Sequence, residues 1–192
     1  MSETELYQIL KGCEEGQRRE QYQLFQYLSP ILMKVCMRYA DSKDTAKDYL
    51  QESMVKIFKH IHAYQYKGSF DGWAKRVTIN TILDILRKKG AVSKTISLED
   101  IKEQHLQELN RGESELNYAD AVQFINRLPD AKKIIFNLYA IEGYAHKEIA
   151  ELLHITEGTS KSQLHKAREL LQQMHTKANQ KINLNEDVAR TN

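Results

Sequence analysis

Residues 145–174 have the sequence AHKEIAELLHITEGTSKSQLHKARELLQQM, in which two helical patterns are joined by a short turn. The first pattern stops at His154, Ile155 and Thr156. Thr156 is expected to cap the second helix, with Glu157 in its first turn, where a negative charge interacts favourably with the helix dipole. The spacing predicts that the two helices bury Ala145, Ile149, Leu152 and Leu153, followed by Leu164, Ala167, Leu171 and Met174.

The second helix also has a basic face, because Lys161, His165 and Arg168 lie opposite its apolar side. In a helix-turn-helix, the second helix contacts base edges while Lys and Arg hold phosphates. An ordinary helical hairpin with a solvated basic surface would show the same pattern. This stretch alone leaves both interpretations open.

The composition indicates a soluble protein that is nearly all helical. Of 192 residues, 41% are hydrophobic and 28% charged, with eight Gly and two Pro. The net charge of +2 excludes a generic polyanion binder, so nucleic-acid binding would require segregated charge. Cys13 and Cys36 lack metal-ligand spacing and suggest a reducing compartment. No apolar run reaches the length of a membrane span, so a cytoplasmic location without direct membrane association is expected.

Helices are predicted over residues 3–11, 18–40, 44–61 and 71–89, with Pro30 expected to bend or restart the second. On the third helix, Asp48, Gln51 and Glu52 share an outward face. Exposed polar residues of this kind are usually inert surface. The alternative is a docking face for a basic partner.

Aromatic and polar residues alternate in AYQYKGSF, residues 63–70. Aromatic rings beside cations can stack unpaired bases, although one or two such rings could instead cap the core. In the following helix, five bases and two acids leave a charge of +3, and Asn80 has an amide suited to reading a base. This is a second basic helix.

The pattern breaks up after residue 90, and residues 99–115 contain six acids and two bases, a charge of −4. Such a segment is typical of a flexible linker. Further helices are predicted over 118–127 and 131–141, and the polar tail is expected to fray from Thr176. The sequence thus predicts an all-α protein with two small helical domains, 1–90 and 118–176, an acidic linker, 91–117, and a polar tail, 177–192.

Three segments carry a family resemblance: DTAKDYLQESMVKIF at residues 44–58, SFDGWAKRVTINTILDILRKK at 69–89 and LPDAKKIIFNLYAIEGYAHKEIAELLHITEGTSKSQLHKAR at 128–168. The first two resemble region 2, and the third region 4, of the extracytoplasmic-function (ECF) sigma factors. These members of the sigma-70 family give RNA polymerase its promoter specificity. The resemblance implies a region 2-like helical bundle and a region 4-like helix-turn-helix.

The resemblance also implies roles for residues. The polymerase clamp would be contacted by Asp48, Gln51 and Glu52. The −10 element would be opened, and a flipped-out base held, by Tyr64, Tyr66, Lys67, Lys75, Arg76, Asn80 and Arg87. The −35 element would be read by Thr159, Ser160, Lys161, Ser162, Gln163, His165, Lys166 and Arg168. Trp73 matches a core position of the family.

Three positions depart from the family pattern. Tyr49 follows Asp48 where acidic or small residues are frequent, which is expected to leave the clamp contact intact. Ser160 occupies a place where a branched apolar residue is frequent, so this end of the helix is expected to pack less firmly. Gln163 replaces a frequent Arg with an amide that prefers adenine. The family further implies three partners: core polymerase, through its clamp and flap surfaces; promoter DNA; and an anti-sigma factor, in many members membrane-bound.

Two other functional classes are an enzyme and a DNA-binding regulator that works alone. Catalysis is not expected, because the sequence has no Gly-rich phosphate loop or nucleophile motif, and His60 and His62 would point about 200° apart on a helix. For the same reasons no metal or cofactor is expected. The alternative function is a stand-alone helix-turn-helix transcriptional regulator.

Overall fold

The computed structural model describes residues 2–88 and 123–190, and the predicted acidic linker, residues 91–117, lies outside them. Every regular element in these two ranges is helical, which confirms the all-α prediction for them. The chain divides into two units, residues 1–89 and 90–192.

In the first unit, the described helices are α1 (Glu3–Glu14), α2 (Arg18–Tyr39), α3 (Lys43–His60) and α4 (Phe70–Lys88), with a 3₁₀ turn at Ile61–Ala63. Polar side chains cap two of them. The Ser2 hydroxyl accepts from Glu5 N while the Glu5 carboxylate accepts from Ser2 N, a capping box at α1. Ser42 accepts from Thr45 N at α3. These bonds satisfy backbone N–H groups that a helix start leaves without partners.

The core of this unit lies between α2, α3 and α4. Its fully buried aliphatic side chains include Leu24, Leu28, Leu32, Ile57, Ile79, Ile82 and Leu83. Burying each contributes about 1.5–3 kcal/mol relative to exposure. The helix α2 continues through Pro30, so the expectation of a restart there is wrong. Pro30 is exposed, and water can therefore bind the carbonyl that loses its backbone partner.

Helix α1 approaches α2 closely at Gly12. A Cβ atom on Gly12 would lie 2.9 Å from Glu20 Cβ and closer still to Glu20 Cγ. Glycine weakens a helix interior by about 1 kcal/mol relative to alanine, but here it permits contact that a larger residue would obstruct. Leu10 and Cys13 are buried on the same helix. Packing therefore holds α1 on the unit.

In the second unit, α5 (Asp130–Phe136) continues into a π-helical turn (Asn137–Ile141) and is followed by α6 (His146–Leu153) and α7 (Glu157–Arg190). Residues 123–126 are also helical. Most of the predicted core is confirmed, since Ile134, Ile135, Leu138, Ile149, Leu153, Leu164 and Ala167 are buried. The prediction for Ala145 is wrong, because it precedes α6 as an exposed N-cap.

The turn between α6 and α7 has the predicted cap. His154 ends α6 in the left-handed conformation, with φ 55°, and the Thr156 hydroxyl accepts from Thr159 N at 3.0 Å. From there α7 runs without interruption to Arg190. The expectation that the chain frays from Thr176 is therefore wrong for the backbone through residue 190. Residues 159–190 contain no Gly or Pro to end the helix.

A partly buried polar contact joins the starts of α6 and α7. The Nδ1 atom of His146 lies 2.9 Å from the hydroxyl oxygen of Ser160, which is fully buried. Ser160 was expected to loosen this end of the helix, but the hydroxyl has a partner. Burial lowers the pKa of His146, and the cations Lys161 and Arg168 lower it further, while Glu157 acts in the opposite direction.

We expect the second unit to lose stability as the pH falls below about 6.5, the ordinary pKa of histidine. Because the pKa of His146 is lowered in the folded state, the unfolded chain binds this proton first. The contribution of His146 to the free energy of unfolding is therefore complete above the pKa that it has in the unfolded chain. This contribution decreases as the pH falls toward the pKa of His146 in the folded protein. When the pH is lowered from 7.5 to 5, the calorimetric Tm should fall less in His146→Gln than in the unchanged protein, because glutamine does not titrate. Parallel curves for the two proteins would contradict the expectation.

Candidate nucleic-acid interface

The loop after the 3₁₀ turn is built from contacting aromatic rings. The ring centroid of Tyr64 lies 5.0 Å from that of Tyr66, 5.1 Å from Phe70 and 5.8 Å from Trp73, and Phe70 stacks on Trp73 at 5.4 Å. Phe70 is 2% exposed and Tyr66 49%. Phe70 thus caps the core, as one interpretation of the loop expected, whereas Tyr66 faces solvent and its stacking on a base stays a prediction.

The backbone of this loop is unusual at Tyr66, which has φ 57°, a region that costs a residue with a Cβ about 1–2 kcal/mol. Gly68 follows with φ 82°, and the Tyr64 hydroxyl donates to its carbonyl oxygen at 2.7 Å. Burial, followed by Glu14 and Tyr7, raises the pKa of Tyr66, so its hydroxyl is neutral at physiological pH. Lys67 is exposed beside it. The loop therefore holds a neutral ring and a cation at the surface.

The outward side of α4 continues this surface. Arg76 and Asn80 are exposed and lie one turn apart, and Trp73 is half-buried one turn before Arg76. Trp73 also contacts Tyr64. The guanidinium of Arg76 and the amide of Asn80 therefore lie on α4 next to the aromatic cluster. Lys75 is only half-exposed.

Arg87, which was predicted to bind DNA, is part of an ion-pair network. It pairs with Asp84, which also binds Lys56 of α3 at 2.8 Å. The hydrogen bond from Lys56, followed by the one from Arg87, holds the pKa of Asp84 below its usual range. One carboxylate is shared by two cations, so the group keeps a net positive charge, and a DNA contact by Arg87 stays a prediction.

The polar face of α3 is exposed at all three predicted residues, Asp48, Gln51 and Glu52. The opposite face is buried and includes Tyr49 and Leu50. Val55, one turn beyond Glu52, is 59% exposed, so the face combines carboxylates with an apolar side chain. Val55 was not among the predicted residues, although an apolar residue on the polar side of a helix can be recognised from the sequence.

The start of α7 exposes only part of the predicted reading set. Lys161 and Arg168 are exposed, and Ser162, His165 and Lys166 are half-exposed. The remaining three are buried: Thr159 (9% exposed), Ser160 (0%) and Gln163 (1%). Ser160, Gln163 and Ala167 recur every three or four residues on the packed side of the helix, so the expectation that Gln163 reads adenine is wrong here.

Neighbouring groups orient the exposed cations of α7. The guanidinium of Arg168 lies 5.7 Å from the ring centroid of Tyr139, which stacks on His146 at 4.5 Å. Lys161 lies 3.6 Å from Glu157, and His165 lies 3.4 Å from Glu169. Such exposed pairs are weak. Tyr139 was not predicted, because it lies 29 residues before Arg168.

Nothing in the described ranges adds a metal centre. They contain no cluster of three His, Cys, Asp or Glu side chains able to bind a metal ion, and no helix long and apolar enough to cross a membrane.

Burial raises the pKa of Cys13 to about 11 and that of Cys36 to about 12. Both thiols therefore remain protonated and pack as small apolar side chains.

Two family models match the chain in order: Sigma-70 region 2 over residues 24–92 and Sigma-70, region 4 over residues 119–171. The ECF RNA polymerase sigma factor SigE of Mycolicibacterium smegmatis is 29% identical over 142 residues, which are 72% of this chain and 54% of that protein. The chain thus spans about half the length of that relative. The ECF RNA polymerase sigma-E factor of Haemophilus influenzae is 26% identical over 141 residues, 68% of this chain and 75% of that protein.

A solved structure has a similar fold. It is the sigma factor RpoE in complex with the anti-sigma factor NepR from Bartonella quintana, with a TM-score of 0.51 and 18% identity, covering 81% of this chain and 96% of that one. The two family models together cover well over half of the chain, in the order in which the helical bundle and the helix-turn-helix occur. The chain therefore belongs to the sigma-70 family, and the relatives it resembles are named ECF sigma factors.

Proposed function

We propose that this chain binds core RNA polymerase and directs promoter-specific initiation, opening the −10 element with its first unit and reading the −35 element with its helix-turn-helix. The observation that carries the proposal is the ordered match to sigma-70 regions 2 and 4. Each matched unit also exposes cationic side chains on a helix whose other face is buried. Two DNA contacts on one chain strengthen each other through effective concentration.

The polymerase clamp is the proposed partner of the α3 face formed by Asp48, Gln51, Glu52 and Val55. An apolar side chain surrounded by polar ones is the usual arrangement of a protein–protein contact. All four residues are exposed and lie on successive turns of one helix. Polymerase would dock against their carboxylates with basic residues.

The −10 element is opened by binding free energy. Unstacking a base costs a few kcal/mol, and an aromatic face that receives the base recovers about 1–3 kcal/mol. Tyr66 offers that face, supported by Tyr64, while Asn80 offers an amide to a base edge and Arg76 a cation to the strand. The chain itself catalyses no reaction, and nucleotide addition is left to the polymerase.

The −35 element is read by the start of α7 in the major groove. Lys161, Ser162, His165, Lys166 and Arg168 are the residues with exposed or half-exposed side chains there. The two Lys and Arg168 bind phosphates or guanine edges, whereas Ser162 and His165 provide shorter polar contacts. Thr159, Ser160 and Gln163 contribute by packing.

Further partners follow from family membership. The RpoE relative was solved with the anti-sigma factor NepR, and an anti-sigma factor, membrane-bound in many family members, would restrain this chain as well. The flap of core polymerase would contact the second unit. Since polymerase is cytoplasmic, the chain acts in the cytoplasm, without a cofactor and without direct membrane association.

Purified chain added to core polymerase should produce specific run-off transcripts from a promoter of its host. Glu52→Lys should abolish both core binding and transcription, because it reverses a charge in the α3 face. Glu15→Lys, at an exposed residue after α1, is the matched control and should leave both intact. Tight sequence-specific DNA binding without core, together with no transcription when core is added, would support a stand-alone regulator instead.

Replacing Asn80 with Ala should reduce promoter opening more than formation of the closed complex, because its amide contacts a base only after the strands separate. Permanganate reactivity of the −10 strand measures opening, and DNA retention at low temperature measures closed binding. Arg87→Ala, on the same helix, should have the smaller effect because Asp84 already pairs with Arg87. Equal loss of both steps in Asn80→Ala would refute this role.

Arg168→Ala should weaken −35 binding for all sequences and reduce the slope of log affinity against log salt by about 1, the effect of losing one phosphate contact. Lys177→Ala removes an exposed cation farther along α7 and on its other side, so its salt slope should match that of the unchanged protein. An unchanged slope in Arg168→Ala would show that this guanidinium does not contact phosphate.

A further inference from the structure

The aromatic cluster of the first unit extends to a residue of α1. The ring centroids of Tyr7 and Tyr66 lie 5.5 Å apart, with their planes tilted by 48°. Tyr66 contacts Tyr64, and Tyr64 contacts Trp73, so four rings from three parts of the chain form a continuous row. Tyr7 is 52% exposed and Tyr66 49%. Tyr7 and Tyr66 are neighbours at one end of this row, and both rings are exposed to solvent.

The position of Tyr7 is determined by packing rather than by a fraying terminus. Helix α1 is capped by Ser2 and Glu5, and Leu10, one turn after Tyr7, is 1% exposed. Close contact at Gly12 brings α1 onto α2. These contacts hold the Tyr7 ring at a defined distance from the loop.

We propose that Tyr7 is a second base-stacking position beside Tyr66, so that two consecutive unpaired nucleotides of the opened strand bind on rings from α1 and from the loop. The proposal rests on the proposed role of the loop in holding a flipped-out base. Its ligand is single-stranded DNA of the −10 element. Base-on-ring stacking is tolerant of base identity, so Tyr7 adds affinity for open DNA rather than sequence preference.

The two rings favour an open strand over a duplex. A base inside duplex DNA is stacked on its neighbours through both faces, so neither face is available to a side chain. A base released from the stack has a free face that can pack on an exposed ring, and Tyr7 and Tyr66 each present such a ring. The second position therefore stabilises the melted state selectively.

Cations adjoin both rings. Lys11 is exposed one turn after Tyr7 on the same side of α1, and Lys67 is exposed next to Tyr66. Either ammonium group can bind a phosphate of the strand whose bases stack on the rings. Glu14, exposed one turn after Lys11, repels phosphate and directs the strand toward the two Lys residues.

The test uses holoenzyme and a forked promoter fragment on which it initiates, with 2-aminopurine at one position of the exposed −10 strand at a time. Stacking on a ring quenches the fluorescence of this base. Tyr66→Ala should relieve quenching at one position, and Tyr7→Ala at the neighbouring position only. Tyr7→Ala should also weaken binding to the fork about tenfold, within the range measured for removal of a stacking ring.

Two further variants separate stacking from support of Tyr66. Tyr7→Phe keeps the ring and should behave as the unchanged protein, whereas Tyr7→Leu keeps apolar contact with Tyr66 and should behave as Tyr7→Ala. Tyr22→Ala, which removes another exposed tyrosine of the same unit, is the control and should change nothing. Full quenching and affinity in Tyr7→Leu would overturn the proposal.

The same measurements distinguish failure of this inference from failure of the proposed function. If Tyr66→Ala relieves quenching while Tyr7→Ala and Tyr7→Leu leave quenching unchanged at every position, only the proposal of a second stacking position is wrong. If Tyr7→Ala and Tyr66→Ala relieve quenching at the same single position, Tyr7 merely supports Tyr66, and the inference is again wrong. If no loop variant changes quenching anywhere, the role of the loop in base binding fails as well.

Discussion

A helix that binds DNA must also bury one face against its own unit, and only the remaining side chains are available for recognition. In α7 this division is sharp, because Gln163 and Ala167 are 1% and 0% exposed while Lys161 and Arg168 face solvent. Burial removes the polar residue best suited to reading adenine and leaves charged or short side chains. In α4, packing leaves Arg76 and Asn80 exposed, together with Lys88 at the end of the helix.

The surface proposed to bind the −10 element depends on aromatic packing as much as on charge. Phe70 is buried and anchors a row of rings that reaches the surface at Tyr66, whose left-handed backbone conformation is held by the loop around it. Side chains in strained conformations persist where surrounding contacts over-determine them, and such positions cluster at binding sites. The close approach of α1 at Gly12 brings Tyr7 to the end of the row.

Internal pairing limits the positive charge of both surfaces. Asp84 binds Lys56 and Arg87, and the exposed Lys161 lies near Glu157. With a net charge of only +2, the chain has little general attraction for polyanions. Modest electrostatics at each surface fit the proposed function, in which the two DNA contacts would act together once polymerase holds both units on one promoter.

The sequence by itself determined the helices, the Thr156 cap, most of the buried apolar faces and the family, because these depend on local periodicity, capping residues and motif order. The tertiary structure decided which polar side chains remain available. His146 meets Ser160 across 14 residues, Lys56 meets Asp84 across 28, and Tyr7 meets Tyr66 across a longer separation still. A helical pattern shows which face a residue occupies, but the partner of that residue comes from another helix. Only the packed structure brings the two together.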